Sequence, residues 1–386
     1  MNILYLTSRF PFPPIGGDKL RFFNILKYLN AKHRISIICF SGHDINAQIV
    51  NDYKKYFAEI DVITLPKVSS YIKCLTGLFK QQPLQISYYS SGNMKKLIAK
   101  KIGEKKYDLI LVHLIRMAEY VKDYPIRKIL DMTDAQSLNY LRAKSYNAGF
   151  WSLVTNAENI MVKKYERKIW KYFDKTVVVS PVDQAYLKQL NRDMNIAVIQ
   201  NGVDVEKYRH KTNDHSNHIL CFIGNMRTAP NTDAIAWFCK DILPLIKKQI
   251  PDIELYIVGQ EPSPRVRRLS KIPKVFVTGK VDDISNYVYR SAVAIAPMRI
   301  GAGIQNKILE SMALGTPVVT TSIGREGIDC TPGKEILIGD TPEMITQHII
   351  KLIEDVDFRK EISKNAYQFI LKNFTWEKAL GKLDLP

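Results

Sequence analysis

Lys307 and Glu310 lie three residues apart, just after the glycine-rich turn Gly301-Ala302-Gly303. Glycines let bare backbone approach a ligand, and a helix starting beyond them presents unpaired N–H groups to an anion. Lys307 then falls about one turn into that helix, with Glu310 on the same face. Arg299 stands in the preceding loop. Such a set neutralises a diphosphate without a metal, and Glu310 is placed to accept hydrogen bonds from ribose hydroxyls. The same spacing also describes an ordinary i,i+3 Lys–Glu pair.

Two other stretches put glycine ahead of a helix. Residues 10–18 read Phe-Pro-Phe-Pro-Pro-Ile-Gly-Gly-Asp. Gly16 and Gly17 permit close backbone approach, and Asp18 is the expected N-cap of a helix over 18–29. The stretch lacks the Gly-x-Gly-x-x-Gly spacing and the lysine of a P-loop, and it reads equally as a stiff proline-rich turn. Residues 222–231 read Phe-Ile-Gly-Asn-Met-Arg-Thr-Ala-Pro-Asn. Here Gly224 ends a strand, Arg227 adds positive charge, and the residues from Pro230 make a turn and cap entering a helix near 234–239.

These side chains need a scaffold, and the hydropathy pattern supplies one. Short, continuous apolar runs predict strands at 2–7, 35–40, 61–65, 109–113, 128–131, 176–180 and 196–199. Further runs fall at 219–224, 254–259, 274–278, 292–296, 317–321 and 335–338. Runs of this kind suit parallel strands buried on both faces. Helical segments alternate with them, among them 152–173 and 304–314, the latter closed by Gly315. The pattern predicts an α/β protein of two doubly wound, Rossmann-like domains facing a central cleft. The expected division is 1–195 and 196–365, with a C-terminal helix at about 366–386 packing back on the first domain.

The 386 residues are enough for two such domains, and 46% hydrophobic against 24% charged residues excludes disorder as a description of the whole chain. No apolar run reaches the ~18 residues of a membrane span, and the N-terminal residues read as a strand rather than a signal peptide. Five scattered cysteines without a Cys-x-x-Cys pair argue against a disulfide framework or structural zinc and for a reducing compartment. The charge is uneven. Residues 1–200 hold 31 Lys and Arg against 16 Asp and Glu, so they carry +15 of the chain's +18. A one-sided basic field calls for an anionic partner.

Three segments occur in a telling order: Val198-Ile-Gln-Asn-Gly-Val-Asp204, the Gly224 to Asn231 segment, and Lys307-Ile-Leu-Glu-Ser-Met-Ala-Leu-Gly-Thr-Pro-Val-Val319. Together they resemble the glycosyltransferases of the GT-B fold, in the group 1 (family 4) retaining class, and Gly16-Gly17 fits the same pattern. The subgroup it resembles comprises bacterial sugar transferases of exopolysaccharide, capsule or lipopolysaccharide assembly. The resemblance implies transfer of a sugar from a nucleotide-sugar to a hydroxyl of a glycan or lipid-linked acceptor, with retained anomeric configuration. It places the donor on the second domain, at Gly224, Arg227, Asn231, Gly301, Ala302, Gly303, Lys307 and Glu310. The acceptor falls on the first domain, beside the loop of Gly16, Gly17 and Asp18. Glu310 matches the second glutamate of the family's Glu-x7-Glu motif, but the first falls on Ala302, so that carboxylate is missing. The family's Arg and Lys after the Gly224 strand are also displaced, to Arg227 and Asn231, and Arg299 is the expected compensation. Where many relatives have a histidine after a central strand, this chain has Asp131 and Asp134. These two, His113 at the end of the 109–113 strand, Arg299 and Lys307 are the candidate catalytic residues. Asp131 also reads as a buried strand residue, Asp134 as a helix cap, and His113 as a structural histidine.

Asp355-Val-Asp357 has the Asp-x-Asp spelling of metal-dependent transferases but reads as a turn between helices. No metal or other cofactor is expected, the nucleotide-sugar being a co-substrate. The basic first half presents a stripe at Lys163, Lys164, Arg167, Lys168 and Lys171. An amphipathic stretch at 67–80 carries Tyr71, Ile72, Leu75, Leu78 and Phe79. That composition suits an anionic membrane surface, reached from the cytoplasm by a peripheral protein, and no nucleic-acid module is present. The competing readings are a GT-B-fold nucleotide-sugar epimerase and a non-catalytic scaffold that binds polyanions or membrane.

Overall fold

At each of the thirteen predicted strand segments the computed structural model has a parallel strand, with ends moved by up to three residues. It describes residues 1–14, 17–41, 47–54, 56–143, 150–208, 216–301 and 303–383. The chain divides into two units, Met1–Ile199 and Gln200–Pro386.

The first unit holds β1 (Asn2–Thr7), β2 (Arg34–Ser41), β3 (Glu59–Thr64), β4 (Leu109–His113), β5 (Lys128–Thr133), β6 (Lys175–Val178) and β7 (Ile196–Val198). Their order in the sheet is β3-β2-β1-β4-β5-β6-β7. Every residue of β1 after Asn2 and every residue of β4 is buried, as a central strand covered on both faces requires. The Gly17–Asn30 helix covers one face with Phe22, Ile25, Leu26 and Leu29, spaced at i, i+3, i+4 and i+7 and all buried. It begins at Gly17, so Asp18 lies in its first turn and is not its N-cap. Gly16 and the Asp18 side chain lie outside the described residues.

The stretch 196–199, expected to open the second domain, is instead the last strand of the first sheet: β7 pairs in parallel with β6 through Thr176–Ile196 and Val178–Val198. The second unit holds β8 (Ser216–Ile223), β9 (Glu254–Val258), β10 (Val275–Gly279), β11 (Ser291–Ala296), β12 (Val318–Thr320) and β13 (Leu337–Ile338). Their order is β10-β9-β8-β11-β12-β13. Successive residues of β11 serve opposite faces. Val293 and Ile295 join one core, while Ala294 and Ala296 join another with Ile308, Leu309 and Met312. The second core also takes Ala366 and Ile370 from the Val356–Asn373 helix and Phe374 at its C-cap, so the C-terminal stretch expected on the first domain is folded into the second unit. Asp355 joins two helices as predicted, ending Pro342–Glu354 and capping Val356–Asn373 through Phe358 N at 2.9 Å. All five cysteines are free thiols. No helix among the described residues is long and apolar enough to cross a membrane.

Candidate functional site

Each sheet reverses its strand order at one place, between β1 and β4 in the first unit and between β8 and β11 in the second. Crevices outside the carboxyl ends of strands at such switch points are where doubly wound sheets take ligands. The candidate residues gather at these two places.

In the second unit the ends of β8 and β9 come so close that only glycine fits. A Cβ on Gly259 would stand 1.7 Å from the Gly224 carbonyl oxygen, and one on Gly224 would stand 2.6 Å from Asn231 Nδ2. The Ala229–Trp237 helix starts earlier than the sequence suggested, with Thr228 at its N-cap and Pro230 in its first turn, a position proline tolerates. This start puts Asn231 against the β8 loop: its Nδ2 donates to Asn225 O at 2.9 Å. Its Oδ1 is left facing across the switch point.

The partner of that oxygen is Lys307. The Asn306–Ala313 helix buries Ile308, Leu309, Met312 and Ala313 against the sheet and ends at Gly315, which has φ +77° as the sequence predicted. Lys307 thereby points back over the end of β8. Its Nζ is 2.5 Å from Asn231 Oδ1, 3.6 Å from Met298 Sδ and 4.5 Å from the centre of the Phe222 ring. One neutral acceptor, a thioether and a ring face replace little of the lost hydration. Burial accordingly pushes the ammonium pKa down to about 7, against the opposing pull of Glu310. Burial pushes the Glu310 carboxyl up to about 7, with Lys207 and Lys307 pulling the other way. That carboxyl accepts no hydrogen bond among the described residues.

The loop ahead of this helix has Gly301 at φ +135° and Gly303 at φ +74°, conformations that favour glycine. Ala302 lies outside the described residues. Gln305 stands at the N-cap without a side-chain cap bond; its carbonyl accepts from Ile308 N at 2.9 Å, and the Asn306 and Lys307 N–H groups ahead of it are left to another acceptor. The site thus joins a helix start without a side-chain cap, a glycine loop and a half-buried lysine. An anion with several oxygens would satisfy all three.

Two expected cations are differently placed. Arg299 makes a bidentate pair with Asp233 of the Ala229–Trp237 helix, at 3.0 Å from Nε and 2.7 Å from Nη2, with its guanidinium 5.0 Å from the Trp237 ring centre. Its charge is therefore shared with a carboxylate that sequence reasoning missed. Arg227 reaches toward Glu261 at 3.6 Å on the surface, with its side chain 77% exposed.

In the first unit, β1, β4 and β5 align Thr7 with His113 and His113 with Asp131. His113 is buried, with Nδ1 3.1 Å from Thr7 Oγ1. Asp131 is also buried but engaged: it accepts from Arg21 Nε at 2.9 Å, Arg21 Nη2 at 3.3 Å and Thr133 N at 3.0 Å. Arg21 Nη1 donates to Ile199 O at 2.9 Å, tying the first helix to the end of the sheet. Arg21 was not among the candidates, although a basic residue on the inward face of an amphipathic helix signals a buried partner. Asp134 precedes the Gln136–Ala143 helix but is not its cap. Ala135 stands between them, and the Asp183 carboxylate accepts from its N–H at 2.9 Å.

Residues 217–355 match the family described as glycosyl transferases group 1. An uncharacterized 44.6 kDa protein in the cps region of Klebsiella pneumoniae is 25% identical over 411 aligned residues, covering 99% of this chain and 98% of that protein. An uncharacterized glycosyltransferase of Methanocaldococcus jannaschii is 28% identical over 257 residues, covering 61% and 64%. Among solved structures, HepE of Anabaena in complex with UDP-glucose superposes with a TM-score of 0.68 at 15% identity, over 99% of this chain and 98% of that one. The resemblance drawn from the motifs therefore holds, in sequence for the second unit and in fold for the whole chain. The second unit is thus similar in sequence to group 1 glycosyl transferases over residues 217–355, and the chain has the GT-B fold.

Proposed function

We propose that the protein moves a sugar from a nucleotide-sugar to a hydroxyl of a glycan or lipid-linked acceptor, with retained anomeric configuration, during assembly of a bacterial surface polysaccharide. The observation that carries this reading is the Lys307 ammonium beside a helix start without a side-chain cap and a glycine loop. A diphosphate seated there would give Lys307 the partner that burial denies it, and Glu310 would take the ribose hydroxyls. The UDP-glucose bound by the Anabaena protein and the cps region of the Klebsiella relative support the substrate class and the pathway.

In this mechanism the second unit holds the donor and the first presents the acceptor. As the glycosidic bond to the diphosphate breaks, negative charge grows on the leaving oxygens. Lys307, Arg299 and the helix amides stabilise that charge most at the transition state, which is what accelerates the step. The acceptor hydroxyl attacks on the face the diphosphate leaves. His113 and Asp134 at the carboxyl edge of the first sheet are the proposed groups orienting it, and no metal is required. The enzyme works from the cytoplasmic side of the membrane that carries its acceptor.

Calorimetric titration with a panel of nucleotide-sugars, followed by a transfer assay with proton NMR of the product anomer, tests this. Binding of one donor and an anomer matching it are expected. Sugar conversion without acceptor would indicate an epimerase instead, and no binding by any donor would leave a scaffold.

A further inference from the structure

The Lys67–Phe79 helix is built inside out. At 100° per residue, Val68, Tyr71, Ile72, Leu75 and Phe79 share an arc of about 100°. Their exposures are 75, 64, 57, 63 and 91%. The side turned to the protein carries small or polar residues instead. Ser70 is fully buried, Cys74 Sγ is 3.5 Å from Leu84 O, and a Cβ on Gly77 would collide with Ser87. Lys73, on the same side, donates to Ser90 O at 2.7 Å. A helix that owed its place to hydrophobic burial would show the reverse pattern. Contiguous exposed apolar surface of this kind marks an interaction site.

The surrounding charge identifies the partner. Residues 62–103 contain seven lysines and no Asp or Glu. Lys67 and Lys80 flank the apolar arc and are exposed. Lys164 Nζ reaches Gln81 Oε1 at 3.4 Å, and Glu158 accepts from Leu84 N at 2.9 Å, so the Phe150–Ile169 helix packs at the turn and the short helix that follow this element. That neighbour turns Lys163, Lys164, Arg167 and Lys168 to solvent, together with Leu153 and Ile160. An apolar arc flanked by Lys67 and Lys80, in a stretch of sequence with no acid, is complementary to a lipid leaflet with anionic headgroups.

We propose that the Val68–Phe79 face of this helix seats in the boundary layer of an anionic bilayer, with the lysines of both helices at the lipid phosphates. The proposal sharpens the membrane placement given above. It needs no donor chemistry, so the two fail separately.

The test is sedimentation of the full chain with vesicles of phosphatidylcholine alone or mixed with phosphatidylglycerol. Co-sedimentation with the mixed vesicles only, weakened by salt, is expected. Leu75→Asp with Phe79→Asp should weaken it at least tenfold, since each loses a buried apolar side chain and adds a like charge to the lipid. Both side chains face solvent, so the melting temperature and nucleotide-sugar affinity in solution should stay unchanged. Phe79→Trp gives a second readout, a blue shift of its emission on mixed vesicles. Absent sedimentation, sedimentation indifferent to the double substitution, or an unshifted tryptophan would each overturn the proposal. So would a wild-type dimer that the double substitution converts to monomer, because a second copy would then cover the face.

Discussion

The guanidinium of Arg21 and the carboxylate of Asp131 meet inside the first unit, Nε to Oδ2 at 2.9 Å, across 110 residues of sequence. A carboxylate held by three donors serves the fold.

The pair makes a sharp prediction. Asp131→Asn or Arg21→Met alone leaves one buried charge without its counterpart and should cost roughly 3–5 kcal/mol. Arg21→Met with Asp131→Leu removes both charges and should recover a large part of the loss. A double-mutant cycle by urea unfolding checks this. Additive single losses would show that the two charges do not interact.

Close approach of β8 and β9 predicts a contrast among glycines. Gly259→Ala pushes a methyl group into the Gly224 carbonyl and should prevent folding of the second unit. Gly333→Ala meets no atom within 4 Å and pays only for its φ of +81°. It should cost about 1 kcal/mol. Thermal unfolding of both variants measures the difference.

Asp233 predicts an effect at a distance from its own chemistry. Asp233→Ala frees the Arg299 guanidinium from its two hydrogen bonds, so Arg299 should lose its fixed orientation. Donor affinity should fall several-fold while Asp233→Glu restores part of it. An affinity unchanged by Asp233→Ala would separate Arg299 from the donor.

Lys307 links donor binding to pH. Its pKa in the free protein is about 7, well below the ordinary lysine value. Above pH 7 it must regain a proton to hold a diphosphate, so nucleotide-sugar affinity should fall as pH rises from 7 to 9, by at most about tenfold per pH unit. Stability of the free protein moves the other way. Between about 7 and 10.5 the unfolded chain binds a proton that the folded chain lacks, so this residue adds stability as pH rises through that window. Lys307→Met should flatten both profiles, which titration calorimetry and thermal melts at several pH values will read.

Much of the architecture was legible because parallel strands buried on both faces announce themselves as short apolar runs. The segments 2–7 and 109–113 match β1 and β4 residue for residue. Gly315 was legible for the same local reason, a helix end that needs a left-handed residue. The edge strand β7 was found but given to the wrong sheet, because three residues say nothing about which neighbour they pair with. Long-range partners were invisible. Nothing near Arg299 points to Asp233, and nothing near Asp131 points to Arg21, since the fold alone brings them together. The exposed face at Tyr71, Ile72, Leu75 and Phe79 was legible as an amphipathic period, but only packing shows that its apolar side faces out. The Leu78 side chain, read as part of that period, lies outside the described residues.

The central claim is that Lys307 and the helix start behind it hold the donor's diphosphate. Titration of wild type and Lys307→Ala with the nucleotide-sugar that binds tightest tests it most directly. Loss of a charge-assisted contact predicts affinity weaker by roughly tenfold to a hundredfold, with the fold intact by melting temperature. Equal affinity in the two proteins would contradict the account.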